Sequence, residues 1–468
     1  MIGLMKKDIL FVIHRLSLYC GLAYIVISGL LFLIFGPIET RLIGFKISFT
    51  SFTNPLRISL GLILLSLIIW VGGTAAGRTH LAGLTQWGIR IIRSELIPAP
   101  QRIFWIDNLR ALAIFLMVFG HTCNDQAFIP GLLGYIYSFH MPLFFFISGL
   151  TFNPERYKRF KDLIIKKSVT LLLPYFFFSF LGYGLCLVDN SRHFTVYGVL
   201  DALFRIIHAD TDMLAFAFDG PLWFLPCLFL VEIEYFTIRK LRKGTQLGVI
   251  AFLATMGFIW GPKFKYIPWS AAVSLVGLAF YWAGFMFKEN MIDLNRFAKG
   301  SLIFLGLLCS LLFCHLNNFV SMASDIYGNP FYFLLSAFGG ILYISLLMTF
   351  SSPHKIISFL GMNTIIILGL HGVLLFFLFP KTESIIPSIA FALIPFSNIP
   401  WLNPLIDTIN KALFSLMLTL AQMAFIFTLI PLFNQKLYFL LGRKKPARSI
   451  PVLDIIPGDK VPSRAYFS

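Results

Sequence analysis

Long apolar segments recur along the whole of this 468-residue chain and constrain its fold more than any other feature. A helix needs about 20 mostly apolar residues to cross the hydrocarbon core of a bilayer. Segments of roughly that length lie near residues 9–36, 57–77, 108–127, 134–153, 168–188, 219–238, 247–261, 269–287, 301–316, 331–350, 357–379 and 412–440. Charged residues make up only 13% of the chain, about half their share in a soluble domain. The sequence therefore predicts an all-α, polytopic integral membrane protein with about 12 transmembrane helices.

The distribution of charge predicts how these helices are oriented. If every segment crosses the membrane, most of the 38 Lys and Arg residues fall on one side, and positively charged loops face the cytoplasm. We therefore predict that the N- and C-termini are both cytoplasmic. The net charge of +17 then faces the inner leaflet rather than nucleic acid. The six scattered cysteines indicate neither a disulfide framework nor a metal site.

One segment combines this apolar character with three ionisable groups. From Arg102 to His121 the chain reads RIFWIDNLRALAIFLMVFGH. At about 100° per residue, Asp107, Arg110 and His121 fall within roughly 60° of one helix face, and Arg110 lies about 16 Å from His121 along the axis. Ionisable groups inside a bilayer are costly and are functional candidates by default, and imidazole transfers protons near neutral pH. The segment therefore predicts a membrane-embedded active site.

Five short motifs follow one another between residues 101 and 440. The first is D-x-x-R-x-x-A from Asp107, in which ten residues separate Arg110 from His121. The others are FHMPLFFFISG from Phe139, RYKR from Arg156 with Lys166–Lys167 and LPY after it, LWFL from Leu222, and LGMNT from Leu360 through His371. Together they resemble the acyltransferase-3 family of membrane O-acyltransferases.

This resemblance implies a ten-helix domain that transfers an acyl group, usually acetyl from acetyl-CoA, to a sugar hydroxyl across the membrane. The chain then divides into three parts. These are two additional helices with an interfacial amphipathic segment (1–100), an acyltransferase-3-like membrane domain (101–441) and a basic, disordered cytoplasmic tail (442–468). We expect acyl-CoA, a glycan or lipid-linked saccharide and the lipid bilayer as partners, and no metal.

Acyl transfer to a hydroxyl needs a base, and His121 is our candidate, against a histidine that is hydrogen-bonded only for packing. Arg110 either binds the phosphates or thioester carbonyl of the donor, or extends toward lipid headgroups. Asp107 pairs with Arg110 at i,i+3, caps the helix N-terminus, or does both. Asp125 either orients the imidazole or is a solvated loop residue. Cys123 lies about 200° from His121 on an ideal helix. His121 is therefore poorly placed to activate the Cys123 thiol as a nucleophile.

The basic loop after residue 155 is the expected donor site. Arginine forks and lysine ammonium groups suit the phosphates of coenzyme A, but a topological signal with headgroup contacts has the same composition. The resemblance favours Arg156 and Arg159 as donor ligands, with Lys167 beside them.

Four residues further along the chain are weaker site candidates. His140, near the outer end of the next helix, is either a second active-site residue or an interfacial histidine. Trp223 fits an aromatic belt as well as it fits an acceptor contact, and we favour the belt. Asn363 and His371, eight residues apart on one predicted helix face, are expected to line the same cavity.

Two functions of other kinds remain open. A secondary transporter suits twelve helices with intramembrane polar groups, but the sequence shows no second copy of the Arg110–His121 pattern. A non-catalytic polysaccharide-assembly protein would keep the fold without needing His121. The longest predicted external loop, 189–219, is where acceptor recognition is expected, although its spaced acidic residues are also ordinary for a solvated loop.

Overall fold

The computed structural model describes residues 38–42, 45–49, 103–123, 131–188, 196–209, 220–264, 267–290, 294–378 and 403–444. The chain forms two compact units. The first comprises Met1–Ser94 and Leu181–Phe204, and the second comprises Glu95–Phe180 and Arg205–Ser468. Every described candidate site residue lies in the second unit.

Helices make up nearly all of the described structure. They are α1 (Phe104–Thr122), α2 (Leu132–Leu150), α3 (Phe160–Lys167), α4 (Leu173–Val188), α5 (Val196–His208), α6 (Phe224–Ile238), α7 (Lys243–Trp260), α8 (Ala271–Asn290), α9 (Arg296–Leu316), α10 (Pro330–Met348), α11 (Lys355–Met362), α12 (Thr364–Leu378) and α13 (Asn403–Gln435). A π-helical turn, Ser168–Leu172, joins α3 to α4 without a break.

One hairpin departs from the all-α prediction. Strands β1 (Ile38–Leu42) and β2 (Phe45–Phe49) pair antiparallel, with Ile38 opposite Phe49. The hairpin lies between the first two predicted transmembrane segments. Both of those segments (9–36 and 57–77) and the predicted surface helix lie outside the described residues.

The membrane character of the chain is confirmed, whereas the count of about 12 transmembrane helices stays a prediction. Eight described helical segments are long and apolar enough to span a bilayer, and the pair α11 and α12 adds a ninth span if it counts as one. The predicted segment 247–261 corresponds to α7, which is 18 residues long but begins with polar residues and falls outside this set. Each of the ten segments predicted after residue 100 therefore corresponds to a described helix or to a pair of helices.

Two parts of the chain differ from the prediction. Helix α1 begins at Phe104, four residues before the predicted start, so Asp107 lies in the first turn and the cap position belongs to Ile103. The capping role of Asp107 is therefore wrong. Helix α5 occupies part of the predicted loop 189–219, because Leu200, Phe204 and Ile207 recur at helical spacing.

The core of the second unit forms where glycines let helices approach closely. Helix α2 packs on α8, and a Cβ built on Gly149 would lie 1.8 Å from the Tyr281 carbonyl oxygen. The reciprocal contact places a Cβ on Gly284 1.9 Å from the Phe146 carbonyl oxygen. Small residues let membrane helices reach backbone contact in this way.

This contact predicts the effect of a single methyl group. Gly149→Ala has no room for its Cβ without separating α2 from α8, so we expect a loss of about 1–3 kcal/mol of unfolding free energy, typical of overpacking. Gly248→Ala is the matched control, because a Cβ there meets no atom within 4 Å. Thermal unfolding in detergent should show a lower Tm for Gly149→Ala alone. An unchanged Tm would contradict the close packing.

Helix α9 presents the most lipid-like surface. Only 11% of its apolar stretch is buried by other parts of the protein, and Phe304, Leu305 and Leu308 are exposed. A large apolar face of this kind suits hydrocarbon rather than water.

Candidate functional site

A cavity of about 400 Å³ opens at one end of the second unit, between α1, α2, α6 and the α11–α12 bend. Its cationic lining residues are Arg110, Arg156, Lys166, Lys167 and Arg443. We call this end the basic end and the opposite end of the same helices the far end. Five cationic side chains around one cavity create a positive potential that attracts polyanions.

Arg110 is held between α1 and the end of α2. Its Nη1 donates to Asp107 Oδ1 at 3.3 Å, and its Nη2 donates to Thr151 Oγ1 at 3.1 Å. The predicted pairing of Asp107 with Arg110 is therefore present. Asp107 is 4% exposed, so its buried carboxylate keeps the guanidinium in a fixed place on the cavity wall.

The basic loop contributes to the cavity unevenly. Arg156, Lys166 and Lys167 line it, and Lys166 Nζ lies 5.5 Å from the centroid of the Tyr157 ring. Arg159, predicted with Arg156 as a donor ligand, caps α3 and is exposed away from the described lining.

Lys167 has a partner that sequence reasoning missed. Its Nζ donates to Glu232 Oε1 at 2.7 Å, and Glu232 lines the same cavity at 3% exposure. A carboxylate in the middle of an apolar helix is itself a functional signal, and the sequence offered it. The pair lowers the net positive charge at this point of the wall.

Arg443 is the second residue that was missed, because the sequence placed it in a disordered tail. Its Nη1 donates to Asn363 Oδ1 at 2.9 Å and also to Asn434 Oδ1, and its Nη2 donates to the Met362 carbonyl at 3.1 Å. The described residues 442–444 are thus ordered against the bundle, which corrects the predicted start of the tail.

Gly442 directs Arg443 into the cavity. It has a left-handed conformation, φ 62°, and a Cβ there would lie 2.2 Å from the Val169 carbonyl oxygen. A left-handed residue in a close approach of this kind requires glycine. The turn that it makes returns the chain from α13 to the cavity wall.

Three histidines from three helices meet beyond the apolar part of the cavity. The His121 and His371 rings have centroids 5.5 Å apart, and the His140 ring lies 5.0 Å from the Tyr137 ring, which packs on Gly120 beside His121. His140 and His371 are buried at 4% and 1% exposure, whereas His121 is partly exposed. His121 is therefore the least buried residue of this cluster.

Hydrogen bonds set the tautomers of the two buried rings. His140 Nδ1 lies 2.8 Å from the Ile136 carbonyl, and His371 Nδ1 lies 2.8 Å from the Leu368 carbonyl. A carbonyl only accepts, so each Nδ1 carries a proton and each neutral ring has Nε2 free to accept. His140 lies in the middle of α2, not at its outer end as predicted.

The cavity ends close to this cluster. Met117 lines it one turn before His121, Met141 lines it beside His140, and Leu368 lines it one turn before His371. Cations therefore surround one end of the cavity, and apolar side chains lead from them toward the histidines.

Asn363 and His371 do not share a helix face, which corrects the prediction. The chain bends by 79° between α11 and α12, and Asn363 stands at the bend. Its Nδ2 donates to the Phe359 carbonyl at 2.8 Å, and such local bonds compete with helix continuation. Asn363 positions Arg443 rather than lining the cavity beside His371.

The remaining predicted residues have other positions. Trp223 is 3% exposed and packs on Phe224 with ring centroids 6.2 Å apart, so the aromatic-belt interpretation is wrong, since a belt residue faces lipid. Asp125 lies outside the described residues. Within the described part of the chain, no group of three or more His, Cys, Asp and Glu side chains could hold a metal ion.

Comparison with known proteins shows the family of this chain. Residues 103–397, more than half of the chain, match the model of the acyltransferase domain of the acyltransferase-3 family. No curated protein and no solved structure matches the chain. The matched region contains α1 with its Arg110–His121 spacing, the basic loop and the α11–α12 bend. The chain belongs to the acyltransferase-3 family and is a membrane acyltransferase.

Proposed function

We propose that this protein is an O-acetyltransferase of the bacterial inner membrane, which moves acetyl from cytosolic acetyl-CoA to a hydroxyl of an extracytoplasmic glycan. One observation carries the proposal: a single cavity runs from five cationic side chains to apolar residues within one turn of His121. The basic end would face the cytosol, as the loop charges predict.

The basic end supplies the groups that a coenzyme A ester needs. Its pyrophosphate and 3′-phosphate are polyanionic, and Arg156 and Arg443 offer planar guanidinium donors for phosphate oxygens. Arg110 stands deeper, toward the apolar part, where it suits the phosphate nearest the pantetheine arm or the thioester carbonyl. Arg159, the other predicted donor ligand, lies outside the cavity, where its positive charge attracts the donor.

The apolar part of the cavity suits the pantetheine arm. Ile114 and Met117 are each 1% exposed and line the wall between Arg110 and the histidines. The arm is a flexible chain that can extend along this wall while the nucleotide stays at the basic end. The acetyl group then reaches His121 without the coenzyme crossing the membrane.

His121 acts as the general base in this proposal. Its imidazole takes the proton of the acceptor hydroxyl as that oxygen attacks the thioester carbon, and the carbon–sulfur bond breaks. The proton then passes to the departing thiolate, so the products are the acetyl ester and coenzyme A. His140 and His371, each with its Nδ1 proton held by a carbonyl, position His121 and keep the surroundings polar.

The broken span is the observation that favours a second candidate. Secondary transporters bind their substrates at discontinuous helices, and α11 and α12 are such a pair. In a transporter the Asn363 bend would line a substrate path. In this structure it holds Arg443 on the wall of the cationic cavity, which favours the transferase.

Membranes that contain the protein test the donor directly. Incubation with acetyl-CoA labelled in the acetyl group should transfer label to the glycan fraction, and succinyl-CoA at the same concentration should transfer much less. Equal transfer from both would support an acyltransferase with a broader donor. No label above that of membranes lacking the protein would overturn the proposal.

A further inference from the structure

A second cavity, of about 520 Å³, opens at the far end of the second unit. It is formed by the start of α2, the end of α9 and the loop after α9. Helix α2 has 19 residues, so the two cavities lie at opposite ends of a helix about 28 Å long. The size of the outer cavity is within the range of small-molecule sites.

The lining of this outer cavity differs sharply from that of the basic cavity. Its polar lining residues are Tyr135, Ser138, His315, Asn317 and Asn318, and Phe319 is beside them. Among the described lining residues none is Lys, Arg, Asp or Glu. Neutral donors and acceptors beside an aromatic ring suit a ligand with many hydroxyls and an apolar face.

The loop that carries these groups is held in place by Asn317. The Asn317 side chain accepts from the Asn329 N–H at 2.8 Å and donates to the Tyr327 carbonyl at 3.1 Å. A bridge between Ser321 and Ile326 closes the same loop. Asn318 and Phe319 are therefore presented in a preformed arrangement, which lowers the entropic cost of binding.

The outer cavity adjoins the histidine cluster. The Tyr137 ring lies 5.8 Å from the Phe319 ring and 5.0 Å from the His140 ring, between centroids. Leu133 lines the cavity, and both Leu133 and Tyr137 approach Gly120, the residue before His121. Side chains that line or adjoin this cavity therefore also pack on the turn of α1 that carries His121.

We propose that the outer cavity binds the neutral sugar residue that carries the accepting hydroxyl, with Phe319 against its apolar face and Asn318 and His315 hydrogen-bonded to its other hydroxyls. This inference rests on the proposed function and adds the site of the acceptor. Tyr137 and Leu133 pack between this cavity and the turn of α1 that carries His121, so their side chains must move for the hydroxyl to reach the imidazole. The charged groups of the donor and the neutral groups of the acceptor then approach the histidines from opposite ends.

The test separates acceptor binding from donor binding. Asn318→Trp fills the cavity, and we expect it to lower transfer of label from acetyl-CoA to the membrane glycan fraction by about ten-fold or more. Binding of acetyl-CoA to the purified variant should stay within about two-fold of wild type, which also shows that the variant is folded. Phe319→Ala should raise the apparent KM for the glycan fraction, and Phe319→Tyr should restore it.

Leu312→Trp is the matched control, because Leu312 is exposed on the same helix end but does not line the cavity. It should transfer label at the wild-type rate. Wild-type transfer and wild-type KM in both Asn318→Trp and Phe319→Ala would overturn the acceptor site alone. Failure of the wild-type protein to bind acetyl-CoA or transfer label would instead overturn the proposed function, and this inference with it.

Discussion

His121→Ala is expected to lower acetyl transfer by about 10²–10⁴-fold, the usual contribution of general base catalysis. The ring of His121 lies beyond the apolar end of the donor cavity and beside His371. Acetyl-CoA affinity should change little, because His121 does not line the cavity. The measurement is label transfer to membrane glycan at matched protein levels, together with the Kd for acetyl-CoA of each purified protein.

His354→Ala is a suitable control for that experiment. His354 is an exposed histidine that caps α11, and it lies outside both the cavity and the histidine cluster. Transfer by this variant should remain close to wild type. If His121→Ala transferred at the wild-type rate, His121 would have no part in the reaction and the mechanism would be wrong.

Arg443→Ala is expected to weaken acetyl-CoA binding by about 10–100-fold, because a hydrogen bond to a charged phosphate contributes roughly 1.5–3 kcal/mol. The KM for acetyl-CoA should rise by the same factor, whereas kcat should fall far less than in His121→Ala. Arg443→Lys should recover only part of the affinity, since an ammonium group cannot reproduce the fork. Lys444→Ala, at the exposed next position, should bind as wild type does.

Gly442→Ala tests the same prediction by a second route. The substitution leaves the guanidinium intact but strains a left-handed residue and places a methyl group against the Val169 carbonyl. We expect it to weaken acetyl-CoA binding as Arg443→Ala does. Dephospho-CoA and acetyl-pantetheine as ligands would show which phosphate Arg443 contacts. Equal affinity of Arg443→Ala and wild type for all three ligands would remove Arg443 from the donor site.

The parts of the fold that hydropathy controls could be predicted from the sequence. Apolar segments locate the helices because the bilayer requires continuous backbone hydrogen bonding, and the Arg110–His121 spacing is a property of one helix. The bend at Asn363 could not be predicted in this way, because the sequence has no proline at that point to interrupt the helix. It depends instead on a side-chain bond to the Phe359 carbonyl and on the approach of Gly361 to Asp107.

Some of the site residues could likewise be predicted from local sequence, and others could not. Arg110 and Arg156 follow from local charge in an apolar or interfacial segment, and both line the cavity. The position of Arg443 could not be predicted from local charge. It depends on hydrogen bonds to Asn363 and Asn434, which lie on other parts of the fold. The meeting of His121 with His371 likewise depends on the packing of α1 against α12, which one sequence does not specify.

Inside-out vesicles test the central claim most directly, with acetyl-CoA that carries one isotope in the acetyl group and another in the adenine. The account predicts that acetyl label accumulates on luminal glycan while adenine label stays in the medium, and that neither label moves in vesicles lacking the protein. Entry of both labels in equal amounts would indicate transport of the whole ester. That result would contradict acetyl transfer from the basic end to an acceptor at the far end.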